Sequence, residues 1–226
     1  MNTNRHYPAC FARFAWYVLV CCIVPNAARA GDFAQNFAVV EKILPTAQGA
    51  VPRATLLRDG KLSALTANVT LQGGDEIETD AHTRVLMRFT TAPVQVALGP
   101  DSQARIGSLF LNRGQALIRK LKGYFGVETE FGTAASESTE YLVSVSPART
   151  LSVIVLEGTV KLTPKDTHGQ SLETTLVMPS EEAVVTLERR TMRGAPSGNA
   201  AFGAPRVSKR PVSNQRLEAI RGLFAE

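Results

Sequence analysis

The residues able to do chemistry are few and poorly placed for it. His82 and His168 lie far apart in turn-like surroundings, and a metal site needs three or four donors brought together. Asp80 stands two positions before His82, close enough for a carboxylate–imidazole pair, although a solvated turn histidine is the simpler use of that spacing. The adjacent carboxylates Asp75-Glu76 and Glu181-Glu182 point to opposite faces if the chain is extended, which makes them poor acid/base partners. Ser136, Ser138 and Thr139 with Glu137 and Glu140 form a polar acidic cluster. No G-x-S-x-G elbow is there to expose a nucleophile, so the cluster reads as a loop. Leu71-Gln72-Gly73-Gly74-Asp75 is glycine-rich but lacks the Lys-Ser/Thr pair and following helix of a phosphate cradle. The residues therefore predict no catalytic set, no metal and no cofactor.

Binding is better represented than catalysis. Arg113, Arg119, Lys120 and Lys122 cluster around one predicted strand beside Tyr124 and Phe125, which reads either as a solvated strand face or as a patch for anionic ligands. From Glu188 onward, eight basic residues face three acids, so the excess charge of this +5 chain belongs to its tail and the body is left slightly acidic. That distribution argues against a nucleic-acid-binding domain. In a cell envelope, such positive charge would attract anionic lipid headgroups or peptidoglycan carboxylates.

The N-terminal segment reads as an address. Arg5 and Arg13 precede an apolar run from Phe14 to Val24, then come Pro25 and Ala28-Arg29-Ala30, the pattern of a secretory signal peptide cleaved between Ala30 and Gly31. The run would make roughly 16 Å of helix, about half of a hydrocarbon core roughly 30 Å thick. An uncleaved anchor or a lipidated Cys22 are the alternatives, and Val20 and Cys21 fit the second poorly. Cys10, Cys21 and Cys22 all fall in this segment, so neither a disulfide framework nor a cysteine metal site can serve the body. The expected location is periplasmic or secreted.

Between about 45 and 187 the apolar period is two, the sign of strands with one buried face. Val85, Met87 and Phe89 form one inward stripe; Val94, Val96 and Leu98 form another, as do Tyr141, Val143 and Val145. Leu151 to Leu156 is apolar on both faces and predicts a doubly covered strand. Turn signals such as Asp59-Gly60, Gly99-Pro100-Asp101 and Glu157-Gly158 recur every 8–12 residues, which points to an all-β fold. Residues 31–44 read as a lead-in, ambiguous between helix and strand. Residues 188–212, broken by Pro196, Pro205 and Pro211, read as a disordered linker. Ser213 then caps a short amphipathic helix over 213–226 with Leu217, Ile220, Leu223 and Phe224 on one side, a candidate docking element.

The order of these strands resembles the FecR domain, an all-β periplasmic module. Gly74-Asp75-Glu76-Ile77-Glu78-Thr79 looks like its opening GD-x-hydrophobic-x-T, and Leu98-Gly99-Pro100-Asp101-Ser102 its L-x-P-N-S turn. Gly114 matches the glycine before the next strand, and Phe125, Val127 and Thr129 match F-x-V-x-T. Ser138-Thr139-Glu140-Tyr141-Leu142-Val143 is similar to G-T-E-F-x-V, and Val155-Leu156-Glu157-Gly158-Thr159-Val160 to the closing V-x-E-G-x-V. Ser138 stands where the family usually has glycine, so a positive φ there would be strained. The resemblance implies stacked short strands in a flattened β-solenoid or two-layer β-roll or sandwich. It implies structural roles for Gly74, Asp75, Thr79, Gly114, Thr129, Thr139 and Gly158. The expected function is a non-catalytic protein–protein interaction module in envelope sensing or scaffolding. The alternative is a glycan- or lipid-binding envelope protein that uses the basic patch and tail.

Overall fold

Strands dominate because the inward stripes are rich in Val, Ile, Leu and Phe at alternate positions, a pattern that buries one face of a pleated chain. The computed structural model describes residues 36–120, 123–190 and 201–223, all within one compact unit, Phe33–Glu226. In chain order the strands are β1 (Asn36–Pro45), β2 (Ala54–Arg58), β3 (Lys61–Ala64), β4 (Thr70–Gln72), β5 (Glu76–Thr79) and β6 (Thr83–Phe89). There follow β7 (Val94–Leu98), β8 (Gln103–Arg105), β9 (Phe110–Lys120), β10 (Tyr124–Thr129), β11 (Gly132–Glu137) and β12 (Glu140–Val145). The last elements are β13 (Thr150–Glu157), β14 (Val160–Pro164), β15 (Thr175–Val177), β16 (Glu181–Arg190), β17 (Ala201–Pro211) and the helix α1 (Asn214–Leu223).

Two sheets result. Sheet A has the order β4-β1-β6-β7-β9-β12-β13-β16-β17 and is antiparallel throughout. Sheet B has the order β3-β2-β5-β8-β9-β10-β11-β14-β15, antiparallel except where Phe110 of β9 meets Glu128 of β10. Strand β9 belongs to both, pairing with β8 up to Arg113 and with β7 and β12 from Gly114 onward. Of the expected all-β forms this is the two-layer one.

The core lies between the layers. Val85, Met87, Phe89, Val96, Val143 and Val153 of sheet A meet Leu56, Ile77, Phe125, Val127 and Leu162 of sheet B, each at most 8% exposed. Phe89 and Phe125 touch edge to face, ring centres 5.0 Å apart. Tyr141 is wholly buried with its hydroxyl directed at the Ala134 carbonyl at 3.4 Å, and burial pushes its phenol up from the usual value.

Two boundaries differ from those expected. The lead-in is strand β1, since its alternate residues Ala38 and Val40 are fully buried in the core. The stretch read as a disordered linker, 188–212, supplies the end of β16 and the whole of β17, with 191–200 outside the described residues. Pro205 and Pro211 are tolerated because, among the described residues, β17 pairs on one side only, with β16, and an edge strand can turn a missing N–H outward. The expected signal segment, including Ala30 and Gly31, lies outside the described residues.

Candidate functional site

The motif residues are turn locks. Gly114 has φ +87° at the point where β9 changes sheets, and a Cβ there would fall 2.1 Å from Ser102 Oγ and 2.4 Å from its Cα. Ser102 occupies that space for a reason: its hydroxyl donates to the Pro100 carbonyl at 3.0 Å and accepts from the Gln115 N–H at 2.9 Å. Thr79 Oγ1 donates to the Gly99 carbonyl at 2.7 Å and accepts the Ser102 N–H at 3.0 Å, closing the same corner. Gly74 (φ +92°) precedes Asp75, which is 2% exposed and takes both Arg58 Nε at 2.8 Å and the Gln72 N–H at 2.7 Å. The Asp75 hydrogen bond also raises the Arg58 guanidinium further above its usual value.

The later motifs behave alike. Thr129 Oγ1 accepts the Phe131 and Gly132 N–H groups at 3.1 Å and closes the β10–β11 turn. Thr139 donates to Ser136, so two of the three hydroxyls of the polar cluster bind each other. Ser138 does adopt φ +49°, the strained conformation foreseen for a non-glycine residue there. Gly158 (φ +81°) packs so closely on Thr139 that a Cβ would come within 2.3 Å of Thr139 Cγ2. The histidines sit in aspartate turns: Asp80 accepts the His82 N–H at 2.9 Å and the Thr83 hydroxyl at 2.6 Å, and Asp166 accepts the His168 N–H at 2.9 Å. Those bonds, that of Thr83 foremost, hold the Asp80 carboxyl below its usual range. No metal-holding group of three or more donors occurs among the described residues.

The basic patch is not brought together. Arg113 and Arg119 stand six residues apart along β9, roughly 20 Å of extended chain, and on segments paired in different sheets. Each is matched to an acid on another strand, Arg113 with Glu78 of β5 across β8, and Arg119 with Glu140 of the neighbouring β12 at 2.6 Å. Lys120 is opposite Val94, and Lys122 lies outside the described residues. The two arginines thus tie strands together, which replaces the expected cluster.

What composition alone does not reveal is a row on the outer face of sheet A. Cross-strand register aligns Leu86, Ala97, Leu117, Leu142 and Ile154 side by side across five strands, then continues to Glu182 of β16 and Arg210 of β17. Helix α1 packs on this row: Leu217 and Ile220, both 5% exposed, join Val212, Leu117, Leu142, Ile154 and Leu156 in a second core. This is the second cover foreseen for the strand Leu151 to Leu156. Ser213 starts the helix, its carbonyl accepting from Arg216 at 3.0 Å and its hydroxyl at 3.4 Å. The candidate docking helix therefore docks on its own sheet. Leu223 ends α1, and Phe224 lies outside the described residues.

A charged clasp closes the seat. Glu182 is 2% exposed and accepts the Ser152 hydroxyl at 2.6 Å, Arg210 Nε at 2.7 Å, and both Arg216 amino nitrogens at 2.8 and 3.2 Å. Burial works to raise its carboxyl, but hydrogen bonds from Arg210, Ser152 and Arg216 outweigh burial and hold it at about 2. The seat is an apolar row ending in a buried carboxylate that holds Arg216 of the covering helix. In sequence its traces are the doubly apolar Leu151–Leu156, the amphipathic helix, and Glu182 beside Glu181, the two expected on opposite faces.

No known protein family matches the sequence, and no curated protein matches it. Two crystal structures of a candidate anti-sigma factor from Parabacteroides distasonis, at 1.65 and 2.50 Å, superpose with a TM-score of 0.47 and 14% identity. The overlap covers 65% and 64% of this chain, and 64% and 62% of theirs, so the chain spans just under two thirds of those structures. A likeness at this level carries neither a residue nor an activity across.

Proposed function

We propose that the chain is a periplasmic, non-catalytic, FecR-like interaction module whose outer sheet A face binds an amphipathic helix carrying arginine. The observation that carries this reading is the in-register row Leu86–Ala97–Leu117–Leu142–Ile154 ending at Glu182. A two-layer sandwich needs no apolar residues outside; a row of five in register calls for a cover. Helix α1 provides one in cis, yet a ten-residue helix is marginal alone and keeps its place through few side chains. A partner helix of the same chemistry, apolar residues three apart and an arginine reaching Glu182, would replace it. The FecR-like reading draws support from the ordered sequence motifs, whose glycine, aspartate, serine and threonine positions land on chain reversals or the strand crossing at Gly114. The location follows from the predicted cleavage before Gly31.

The reading is tested on the full chain. Leu217→Asp with Ile220→Asp should lift α1, and a fluorescent peptide of residues 210–226 should then bind at least ~10-fold tighter than to the wild type. Adding Glu182→Gln should weaken that binding again. Equal affinity of the wild-type and released chains, with circular dichroism showing both folded, would remove the helix seat as the basis of function. Intact mass of secreted protein should begin at Gly31; a chain that stays in the cytoplasm would overturn the location.

A further inference from the structure

A second surface, on the opposite layer, is also built to receive something. On the outer face of sheet B, register aligns Gly126, Ala135, Lys161 and Leu176 across four strands. One step along each strand lie Tyr124 opposite Glu137, and Thr159 with its hydroxyl 3.9 Å from Met178 Sδ. Tyr124 (65% exposed), Leu176 (50%) and Met178 (46%) are three of the six large apolar side chains exposed among the described residues, and they stand around this one place. Between Tyr124 and Leu176 runs a cleft of about 330 Å³, with Met178 just outside its lining. The floor is low because Ala135 is small, and Gly126 beside it in register adds no side chain; a Cβ on Gly126 would reach the Ala135 methyl at an ordinary 3.6 Å, so the low floor is not imposed by crowding.

We infer that this trough is a carbohydrate site that takes a neutral, N-acetylated hexosamine unit. The warrant is the combination of groups. An aromatic ring at one end offers a flat apolar face, and the small floor lets a ring approach the backbone. Glu137 and Lys161, neither ion-paired among the described residues, supply one acceptor and one donor charge, and Thr159 adds a hydroxyl. One charge of each sign favours an uncharged ligand rich in hydroxyls over a phosphate or a polycation. The aliphatic end formed by Leu176 matches the methyl of an acetamido group. A pyranose with an apolar face, a polar rim and one such methyl satisfies all four features. An extended apolar peptide would leave the charges without partners. This site is distinct from the helix seat and from the basic patch on β9.

The test uses the full secreted chain, with N,N′-diacetylchitobiose as probe and cellobiose, which shares the linkage but lacks acetamido groups, as its comparator. Isothermal titration and saturation-transfer NMR should show saturable binding of the first and at least ~5-fold weaker binding of the second. Tyr124→Ala should cost ~10-fold in affinity, the size expected for loss of one stacking contact. Ala135→Leu, which fills the floor from a position outside the inner core, should abolish binding while circular dichroism shows the chain still folded. Three outcomes overturn the inference: no saturable binding of either sugar, equal binding of both, or binding that survives Ala135→Leu and Tyr124→Ala. Uptake of an apolar dye at Tyr124 without sugar binding would mark a protein contact surface and overturn it as well. Releasing α1 by Leu217→Asp and Ile220→Asp should leave sugar binding intact, which separates this site from the helix seat.

Discussion

The two layers of the sandwich have similar inner faces and opposite outer ones. Outside sheet A, the central row is Leu86, Ala97, Leu117, Leu142 and Ile154, and α1 covers it down to 1% exposure at Leu117 and Ile154. Outside sheet B, the corresponding strands carry Thr133 opposite Thr163, Glu137 opposite Tyr124 and Lys161 opposite Leu176, and no described element lies over them. The inner faces make the fold; the outer ones decide what each layer can bind. An apolar row demands a cover and takes a helix, while a polar trough with an aromatic end can stay in water and wait for a small ligand.

Substitutions on the two faces should diverge accordingly, and the largest gap is expected at matched positions. Ile154→Asp puts a charge beneath α1 and should destabilise by about 4 kcal/mol in urea unfolding, whereas Lys161→Asp outside sheet B should change stability by no more than about 0.5 kcal/mol. Equal effects would erase the distinction. Next in size, Arg210→Ala combined with Arg216→Ala leaves Glu182 buried with only Ser152 and should cost about 3 kcal/mol. Glu182→Gln should cost less, because the arginines it abandons are 63% and 48% exposed and can be hydrated.

Acid should separate the faces as well. The Glu182 carboxyl is held at about 2, below its ordinary 4.5, so the folded state binds this proton less readily than the unfolded chain. Its contribution is therefore complete above about pH 4.5 and is lost as pH falls from there toward 2. The loss should be on the order of 2 kcal/mol, read as a falling urea midpoint, and Glu182→Gln should flatten that part of the profile. A wild-type slope that persists in Glu182→Gln would move the acid sensitivity elsewhere. The smallest effect is expected at Tyr124→Ala, whose stability change should stay within about 0.5 kcal/mol because the ring is 65% exposed.

Much of the fold is legible in the order of the residues. The stripes of β6, β7 and β12 follow from alternation, and the doubly apolar Leu151–Leu156 calls for the two covers it has. Ser138 is legible too, as a non-glycine residue at a position of positive φ. The tail is not, because proline and glycine weigh as breakers of structure, while an edge strand accommodates Pro205 and Pro211. Nor is the fate of the basic patch, because nearness along a strand says nothing about cross-strand acids: Glu78 and Glu140 reach Arg113 and Arg119 only through pairing.

Short-range patterning sets which side chains of each strand face in, where the chain reverses and which residues close each reversal, because these depend on neighbours a few positions away. The helix seat and the trough depend instead on register. Sliding one strand by a single residue would exchange its two faces and break both rows, so neither site exists until all the ladders have formed together. Glu182 shows the same dependence in one residue. Beside Glu181 it is an ordinary strand carboxylate, and it becomes a clasp only when β17 and α1 bring Arg210 and Arg216 to it from 28 and 34 residues away.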